Sequence, residues 1–274
     1  MNISTKIIIF SFSLLVTILL ISSLCTNNSL ILLDHISFKL KHNRKSIKNL
    51  LKQENNVRLP DVEQTDEIPK IIFQTHKKKE LIPDYYIENL KNLNKDWDYR
   101  FFDNQDAKKF LREEFGKEFE DKFDYFKSGP HKADLWRLCV LYKYGGCYLD
   151  ADIEMYKSFD CIIKEIKEDF IVAETLVGFN NKRVFNALMI CKPSDNLIGE
   201  CIKKIMLIEN KYLDYDYHYI IYLMNSILEK KINHNKLLER YIPSSKFNFK
   251  STSSDYYLTI GKDKVAKSKR DDYV

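Results

Sequence analysis

An α/β domain with at least some parallel strand pairing is what this 274-residue sequence predicts, and two observations carry the prediction. Short apolar runs that read as strands alternate with segments of helical spacing, the order that builds parallel strands joined by crossover helices. A glycine pair, Gly145-Gly146, then separates a helical segment from a further short strand, a position where glycine tolerates the backbone sign of a sharp turn. With 45% hydrophobic and 13% aromatic residues, the chain can bury a sizeable core. Its 44 Lys and Arg against 39 Asp and Glu give +5. Much of that excess lies between Lys39 and Lys52 and between Lys262 and Arg270, so the middle is near neutral and no nucleic-acid partner is expected.

Three regions are expected. Residues 1–25 read as a transmembrane anchor, because Ile7 to Leu24 runs eighteen residues without a charge, enough at about 1.5 Å per residue to approach a hydrocarbon layer of roughly 30 Å. A cleaved signal peptide is the rival, with Ser23 and Cys25 as the small residues of its cleavage site. The apolar run exceeds the roughly 7 to 15 residues of such a segment, which favours the anchor. Residues 26–66 read as a basic and polar stem, helical in part from Ser46 to Gln53, with a short glycan-acceptor pattern at Asn27-Asn28-Ser29. Lys39, Lys41, Arg44, Lys45, Lys48 and Lys52 follow the span. Those charges pull against an orientation that places the C-terminal part in a lumen.

The domain, residues 67–274, begins at a composition shift. IPKIIFQTH is an apolar run after a proline and reads as a buried strand. Pro83 to Leu93 has helical character, and Tyr99 to Asp103 forms a second strand. Asn104 offers a cap to a helix in which Ala107, Phe110 and Leu111 share a face. Gly129-Pro130 opens the next helix, HKADLWRLCVLYKY, with Leu135, Leu138, Cys139 and Tyr142 along one stripe. Cys147 to Leu149 is the strand after the glycines. The six cysteines, Cys25, Cys139, Cys147, Cys161, Cys191 and Cys201, show no metal-ligand spacing and read as buried free thiols.

Aspartates separated by one residue occur three times, as Asp96/Asp98, Asp150/Asp152 and Asp214/Asp216. Spacing alone does not choose among them. Only Asp150/Asp152 follows an apolar strand and a glycine turn, at the carboxyl end where open α/β sheets bind ligands. Two such carboxylates suit a hard divalent ion, Mn²⁺ or Mg²⁺, that neutralises a departing diphosphate. Their other reading is a capped or solvated turn. Asp134 and Arg137, three apart on the preceding helix, are placed to hold a ribose hydroxyl and a phosphate or sugar oxygen, or else form an exposed intrahelical ion pair worth about 0.2 to 0.5 kcal/mol. Glu174, which closes FIVAE, is the best-placed internal carboxylate, or a solvated acid at a strand end. Tyr212, Tyr215, Tyr217, Tyr219 and Tyr222 read as a half-buried helix face rather than as a sugar-stacking surface.

Taken together, ADLWRLxxLYKYGGCYLDAD from Ala133 to Asp152 resembles glycosyltransferase family 32, the DXD-containing group with fungal outer-chain α-1,6-mannosyltransferases and inositol-phosphoceramide mannosyltransferases. IPKIIFQTH is similar to that family's first strand, and FNALMICKPSDN to its later Asn-containing segment. The resemblance implies a GT-A-like, Rossmann-type fold that binds a nucleotide sugar, a divalent metal, and hexose transfer, mannose favoured, with retention. It implies Asp150 and Asp152 as metal and diphosphate ligands, Asp134 and Arg137 at the donor's ribose and sugar, Gln74 and Thr75 near the nucleotide, and Asn186 facing the transferred sugar or acceptor. A GDP- or UDP-linked donor, a glycan or glycolipid acceptor, and a lumenal domain in the Golgi or another secretory compartment follow from the same resemblance. Phe73 and His76 replace the family's usual His and Trp, and no Trp follows Trp136. Those departures leave a non-catalytic sugar-nucleotide or glycan-binding domain of the same fold as the alternative.

Overall fold

The computed structural model describes residues 42–177, 181–228, 237–241 and 256–268. The chain divides into two units between Lys52 and Gln53. In the first, residues 42–52 form helix α1, longer than the partial helix expected from Ser46 to Gln53. The anchor expected over residues 1–25 lies outside the described residues. Among the described residues, no helix is long and apolar enough to cross a membrane.

The second unit opens with strand β1, Ile71–Thr75. After a short 3-10 turn at Lys79–Leu81, Pro83 starts helix α2, Asp84–Leu93, which buries Tyr86, Ile87 and Leu90. Strand β2, Asp98–Phe102, pairs parallel to β1. Helix α3, Asn104–Phe115, is capped by Asp103, not by Asn104: the Asp103 carboxylate accepts from the backbone of Gln105 and Asp106, and Asp106 answers with a reciprocal bond. Two orphan amides at the helix start are thus satisfied together, an arrangement a shorter-range reading at Asn104 misses. Gly116, at φ 102°, turns α3 into α4, Lys117–Tyr125.

Helix α5, Gly129–Tyr144, differs from the striped helix expected. His131, Asp134, Leu135, Trp136, Arg137, Leu138, Cys139, Val140 and Leu141 are all buried. It is enclosed by α3, α4 and α7, Asn196–Ile205, and by three strands of the sheet. A helix covered on every side must satisfy its polar side chains internally, which bears on the site below.

Strand β3, Gly146–Leu149, follows directly, then β4, Ile153–Met155. Helix α6, Phe159–Ile166, precedes β5, Phe170–Val177, and β6, Asn181–Cys191. After α7 come α8, Asn210–Tyr215, and α9, Tyr219–Leu228. Strands β7, Leu237–Tyr241, β8, Tyr256–Ile260, and β9, Asp263–Ser268, complete the described elements. The strands form one mixed sheet in the order β2-β1-β3-β6-β5-β7-β8-β9-β4. The pairs β1/β2, β1/β3 and β5/β7 are parallel, which meets the expectation of at least some parallel pairing, while β3/β6 and β5/β6 are antiparallel.

A large core lies against this sheet, with Ile72, Cys147, Leu149, Phe159, Ile162 and Leu258 fully buried. Each such aliphatic or aromatic side chain contributes about 1.5–3 kcal/mol on leaving water. Cys139, Cys147, Cys191 and Cys201 are buried free thiols, whereas Cys161 is exposed. Burial pushes the thiols of Cys139, Cys147, Cys191 and Cys201 upward in pKa. They are therefore packing groups, not nucleophiles.

Candidate active site

The site starts from the glycine pair. Gly145 ends α5 with φ 64° and Gly146 begins β3 with φ 87°. A Cβ on Gly146 would stand 2.5 Å from the backbone oxygen of Ile71, and one on Gly145 would stand 2.7 Å from Pro193 and 2.9 Å from Pro69. Both positions therefore need glycine twice over, for the left-handed backbone and for a close approach, that of β1 at Gly146 and that of Pro69 and Pro193 at Gly145. This contact sets α5 and β3 in register, so that residues near the middle of the helix meet residues just past the end of the strand.

Arg137 is where they meet. Its guanidinium is almost wholly buried, and each nitrogen has a partner. Nε donates to the Ala133 carbonyl at 3.3 Å, and Nη1 to the Asn186 carbonyl at 2.7 Å. Nη2 lies 3.3 Å from Asp134 Oδ1, and Nη1 lies 3.3 Å from Asp150 Oδ1. The guanidinium also sits 4.4 Å from the centre of the Tyr148 ring. Asn186 closes the circuit by donating from Nδ2 to Asp134 Oδ1 at 2.8 Å. The exposed ion pair that the spacing of Asp134 and Arg137 also allowed is excluded, because both side chains are buried.

The backbone of β6 makes this possible. Along β5, Val172 faces Met189 but the next residue, Ala173, faces Phe185. Asn186, Ala187 and Leu188 are therefore skipped in the β5/β6 ladder. On the other side, β3 continues to follow β6, and the Asp150 amide donates to the Ala187 carbonyl at 2.8 Å. The irregularity turns the Asn186 carbonyl toward Arg137 instead of toward β5. Bulges commonly re-aim groups in this way beside functional sites.

Charge balance follows from burial. Desolvation raises the Asp134 carboxyl pKa, offset in part by Arg137, by the Asn186 hydrogen bond and by His131. For Arg137 the largest effect is desolvation, which opposes its charge, yet Tyr148, Asp150, Asp134 and Tyr217 together raise its pKa. The guanidinium stays cationic. Breaking such a buried pair leaves an uncompensated charge, at a cost of about 3–5 kcal/mol.

The two aspartates flank a turn between β3 and β4. Asp150 Oδ1 accepts from the Tyr148 hydroxyl at 2.5 Å and faces Arg137, while the side chain remains about one-third exposed. Ala151 is buried against Ile82, Tyr86 and Ile87. A larger residue there would push the turn away from α2, which explains why the residue between the acids is small. Asp152 is half-buried and is tied into the surrounding interactions. Among the described residues, no three His, Cys, Asp or Glu gather into a group that could hold a metal. The donor set is two carboxylates on a partly open turn, which fits a hard ion completing its shell with phosphate oxygens and water.

The remaining predicted residues fall at different distances from this centre. Gln74 is fully buried, donates from Nε2 to the Asp150 carbonyl at 3.3 Å and accepts from the Tyr99 hydroxyl at 3.0 Å. It supports the turn from beneath. Burial pushes the Tyr99 hydroxyl up to about 12, so it remains a donor to Gln74. Thr75, at the end of β1, donates to the Phe102 carbonyl at 2.8 Å and joins β1 to β2. Glu174 does not close its strand as expected but lies inside β5, buried, opposite Val184. By the pleat it shares the sheet face of Val184 and Asn186, not that of Ala173 and Phe185.

Three groups escape the sequence reading. Tyr148 is two residues before Asp150, and strand periodicity alone places both on one side. His131 is buried one turn before Asp134, with Nε2 2.9 Å from the Tyr217 carbonyl. Tyr217 is not part of a helix face; it stands in the loop between α8 and α9.

Residues 83–169 match a protein family described as a glycosyltransferase sugar-binding region containing a DXD motif. The chain is 32% identical over 103 residues to inositol phosphoceramide mannosyltransferase 3 of Schizosaccharomyces pombe, covering 36% of this chain and 28% of that protein. It is 33% identical over 99 residues to the mannosyl phosphorylinositol ceramide synthase SUR1 of Saccharomyces cerevisiae, covering 35% of this chain and 25% of that protein. Over 152 residues it is 35% identical to an uncharacterized glycosyltransferase, L373, of Acanthamoeba polyphaga mimivirus, covering 52% of this chain and 57% of that one. The matches thus span between a quarter and a little over half of these relatives' lengths. Among solved structures, the PaToxG glycosyltransferase aligns with a TM-score of 0.43 at 15% identity, covering 72% of this chain and 78% of that one.

Proposed function

We propose that this chain, which over residues 83–169 belongs to the DXD-containing glycosyltransferases, is a metal-dependent, retaining hexosyltransferase of GT-A-like fold. Its donor is a GDP- or UDP-linked sugar, with mannose favoured because two of its relatives are named for mannosyl transfer. Its acceptor is a glycan or glycolipid. The uncharged apolar run from Ile7 to Leu24 supports a single membrane span, and the catalytic domain is proposed to lie in the lumen of the Golgi or another secretory compartment.

The observation that carries this reading is the buried Arg137, which holds Asp134, the Asn186 carbonyl and Asp150 in one cluster behind a partly open aspartate turn. A divalent ion, Mn²⁺ or Mg²⁺, held by Asp150 and Asp152 would supply positive charge to the diphosphate as it leaves. Arg137 fixes the Asp150 carboxylate before the donor arrives, so little reorganisation is needed during reaction. Tyr148 holds the same oxygen from the other side. Asp134 and Asn186 form the polar floor on which the hydroxyls of the hexose are oriented.

Retention can proceed in two ways from this arrangement. In one, the Glu174 carboxylate, on the Asn186 face of the sheet, bonds to the anomeric carbon as the bond from that carbon to the nucleoside diphosphate breaks; the acceptor oxygen then bonds to the same carbon as the glycosyl ester breaks and frees the carboxylate, and the acceptor's proton passes to the departed diphosphate. Alternatively, the bond from the anomeric carbon to the diphosphate breaks while the acceptor oxygen bonds from the same face, and the acceptor's proton passes to the departing phosphate. The test of the donor reading is a screen of nucleotide sugars against the purified full chain by thermal shift, with and without Mn²⁺. At least one GDP- or UDP-linked hexose should raise the melting temperature more with Mn²⁺ than without it. No Mn²⁺-dependent shift with any of them would refute the reading.

A further inference from the structure

The loop Asp216-Tyr217-His218 joins α8 to α9, and the five tyrosines around it do not share one role. Tyr219 is fully buried and stacks on Tyr212 at 5.1 Å. Tyr222 receives the Arg183 guanidinium, which donates to its hydroxyl at 3.0 Å. Tyr215 is exposed at the end of α8. Tyr217 alone among them combines exposure with a place at the Asp134–Arg137 cluster. Tyr217 is 51% exposed, yet its carbonyl rests on His131, one turn before Asp134, and its hydroxyl pKa is raised by burial first and then by the nearby Asp134 carboxylate.

The loop is also anchored. Its Tyr217 carbonyl meets buried His131 Nε2 at 2.9 Å, and the two rings lie 4.9 Å apart. Burial raises the pKa of the Tyr217 hydroxyl, and the Ser128 side chain at the start of α5 offsets part of that rise. Asp216, itself buried, accepts from the His218 amide at 3.0 Å and stiffens the turn. An aromatic ring held this firmly, with one side packed and the other open beside a buried polar cluster, is a preformed wall for a ligand that carries both apolar and hydroxyl surface.

We propose that Tyr217 is a specificity-determining residue that closes the hexose subsite, its open face packing on the C–H surface of the transferred pyranose while Asp134 and Asn186 hold that sugar's hydroxyls. The inference rests on the donor reading given above. It assigns Tyr217 to the sugar and not to the nucleotide, and that division is what the test reads.

The experiment is calorimetric titration of the full chain in Mn²⁺ with each nucleotide sugar that shifts its melting temperature, and in parallel with the matching nucleoside diphosphate. Tyr217→Ala should weaken the nucleotide sugar about fivefold to tenfold and leave the diphosphate affinity unchanged, which also reports that the variant is folded. Tyr217→Phe keeps the ring and should stay within about twofold of the wild type. If Tyr217→Ala weakens both ligands equally, or neither, the assignment of Tyr217 is overturned. If the wild type binds neither ligand, the donor reading itself falls, and this inference with it.

Discussion

Asp150/Asp152 and Asp96/Asp98 have the same spacing and nothing else in common. Asp98 is exposed and pairs with Arg100 two residues away at 2.7 Å; Asp96, more exposed still, lies 4.0 Å from Lys70. Asp150 is held by Tyr148 and by a buried arginine that also binds Asn186, 49 residues further along the chain. Exposed pairs of the first kind contribute about 0–1 kcal/mol and rearrange freely. A carboxylate fixed from behind by a desolvated cation is positioned before any ligand arrives, and that difference separates a surface from a site.

The comparison is broken most severely at Arg137. Arg137→Met should remove the cation shared by Asp134 and Asp150, destabilise the fold by about 3–5 kcal/mol in denaturant titrations, and lower transfer by roughly 10²-fold or more. Next comes the glycine hinge. Gly146→Ala should cost at least about 1–2 kcal/mol from its backbone sign alone, and more because its methyl group meets the Ile71 carbonyl; chemical denaturation measures it.

A subtler effect concerns pH. The Asp134 pKa is raised, mainly by burial, so the folded state holds that proton more tightly than the unfolded chain does. Its contribution to stability is therefore present at low pH and is lost as pH rises through the raised value. Transfer, which needs ionised Asp134 to receive Asn186 and Arg137, should run the other way and fall as pH drops through the same range. Parallel pH profiles of transfer and melting temperature check the opposition, and Asp134→Asn, which cannot ionise, should transfer weakly at every pH and show no acid fall. The smallest effect belongs to the surface pairs. Asp98→Asn and Asp214→Asn should each change stability by no more than about 0.5 kcal/mol and leave transfer unaltered, since Asp214, like Asp98, is exposed and pairs with an exposed cation, Lys127.

How much of this was legible depended on the range of the forces involved. The glycine hinge could be read because its cause is local: a backbone sign and a missing Cβ. That some strands pair in parallel followed from element order. The cap at Asp103 was missed by one residue, because Asn104 and Asp103 are both good caps and only the answering bond from Asp106 decides between them. Asp134 and Arg137 could be placed on one helix face, but not inside the protein. Their burial depends on Asn186, whose carbonyl is released by an irregularity in β6 that no local pattern announces. Tyr217 was hidden among neighbouring tyrosines for a similar reason. Its role depends on a loop resting on His131, 86 residues earlier in the sequence.

The central claim is that the aspartate turn in front of Arg137 works through a divalent ion on a nucleotide sugar. The measurement that meets it most directly is release of radiolabelled hexose from a nucleotide sugar by the full chain in Mn²⁺, for the wild type and Asp152→Asn with their melting temperatures recorded. Turnover by the wild type that is lost with chelator, and reduced roughly 10²-fold or more in a folded Asp152→Asn variant, is the predicted result. Equal turnover by the two proteins, or turnover indifferent to chelator, would contradict it.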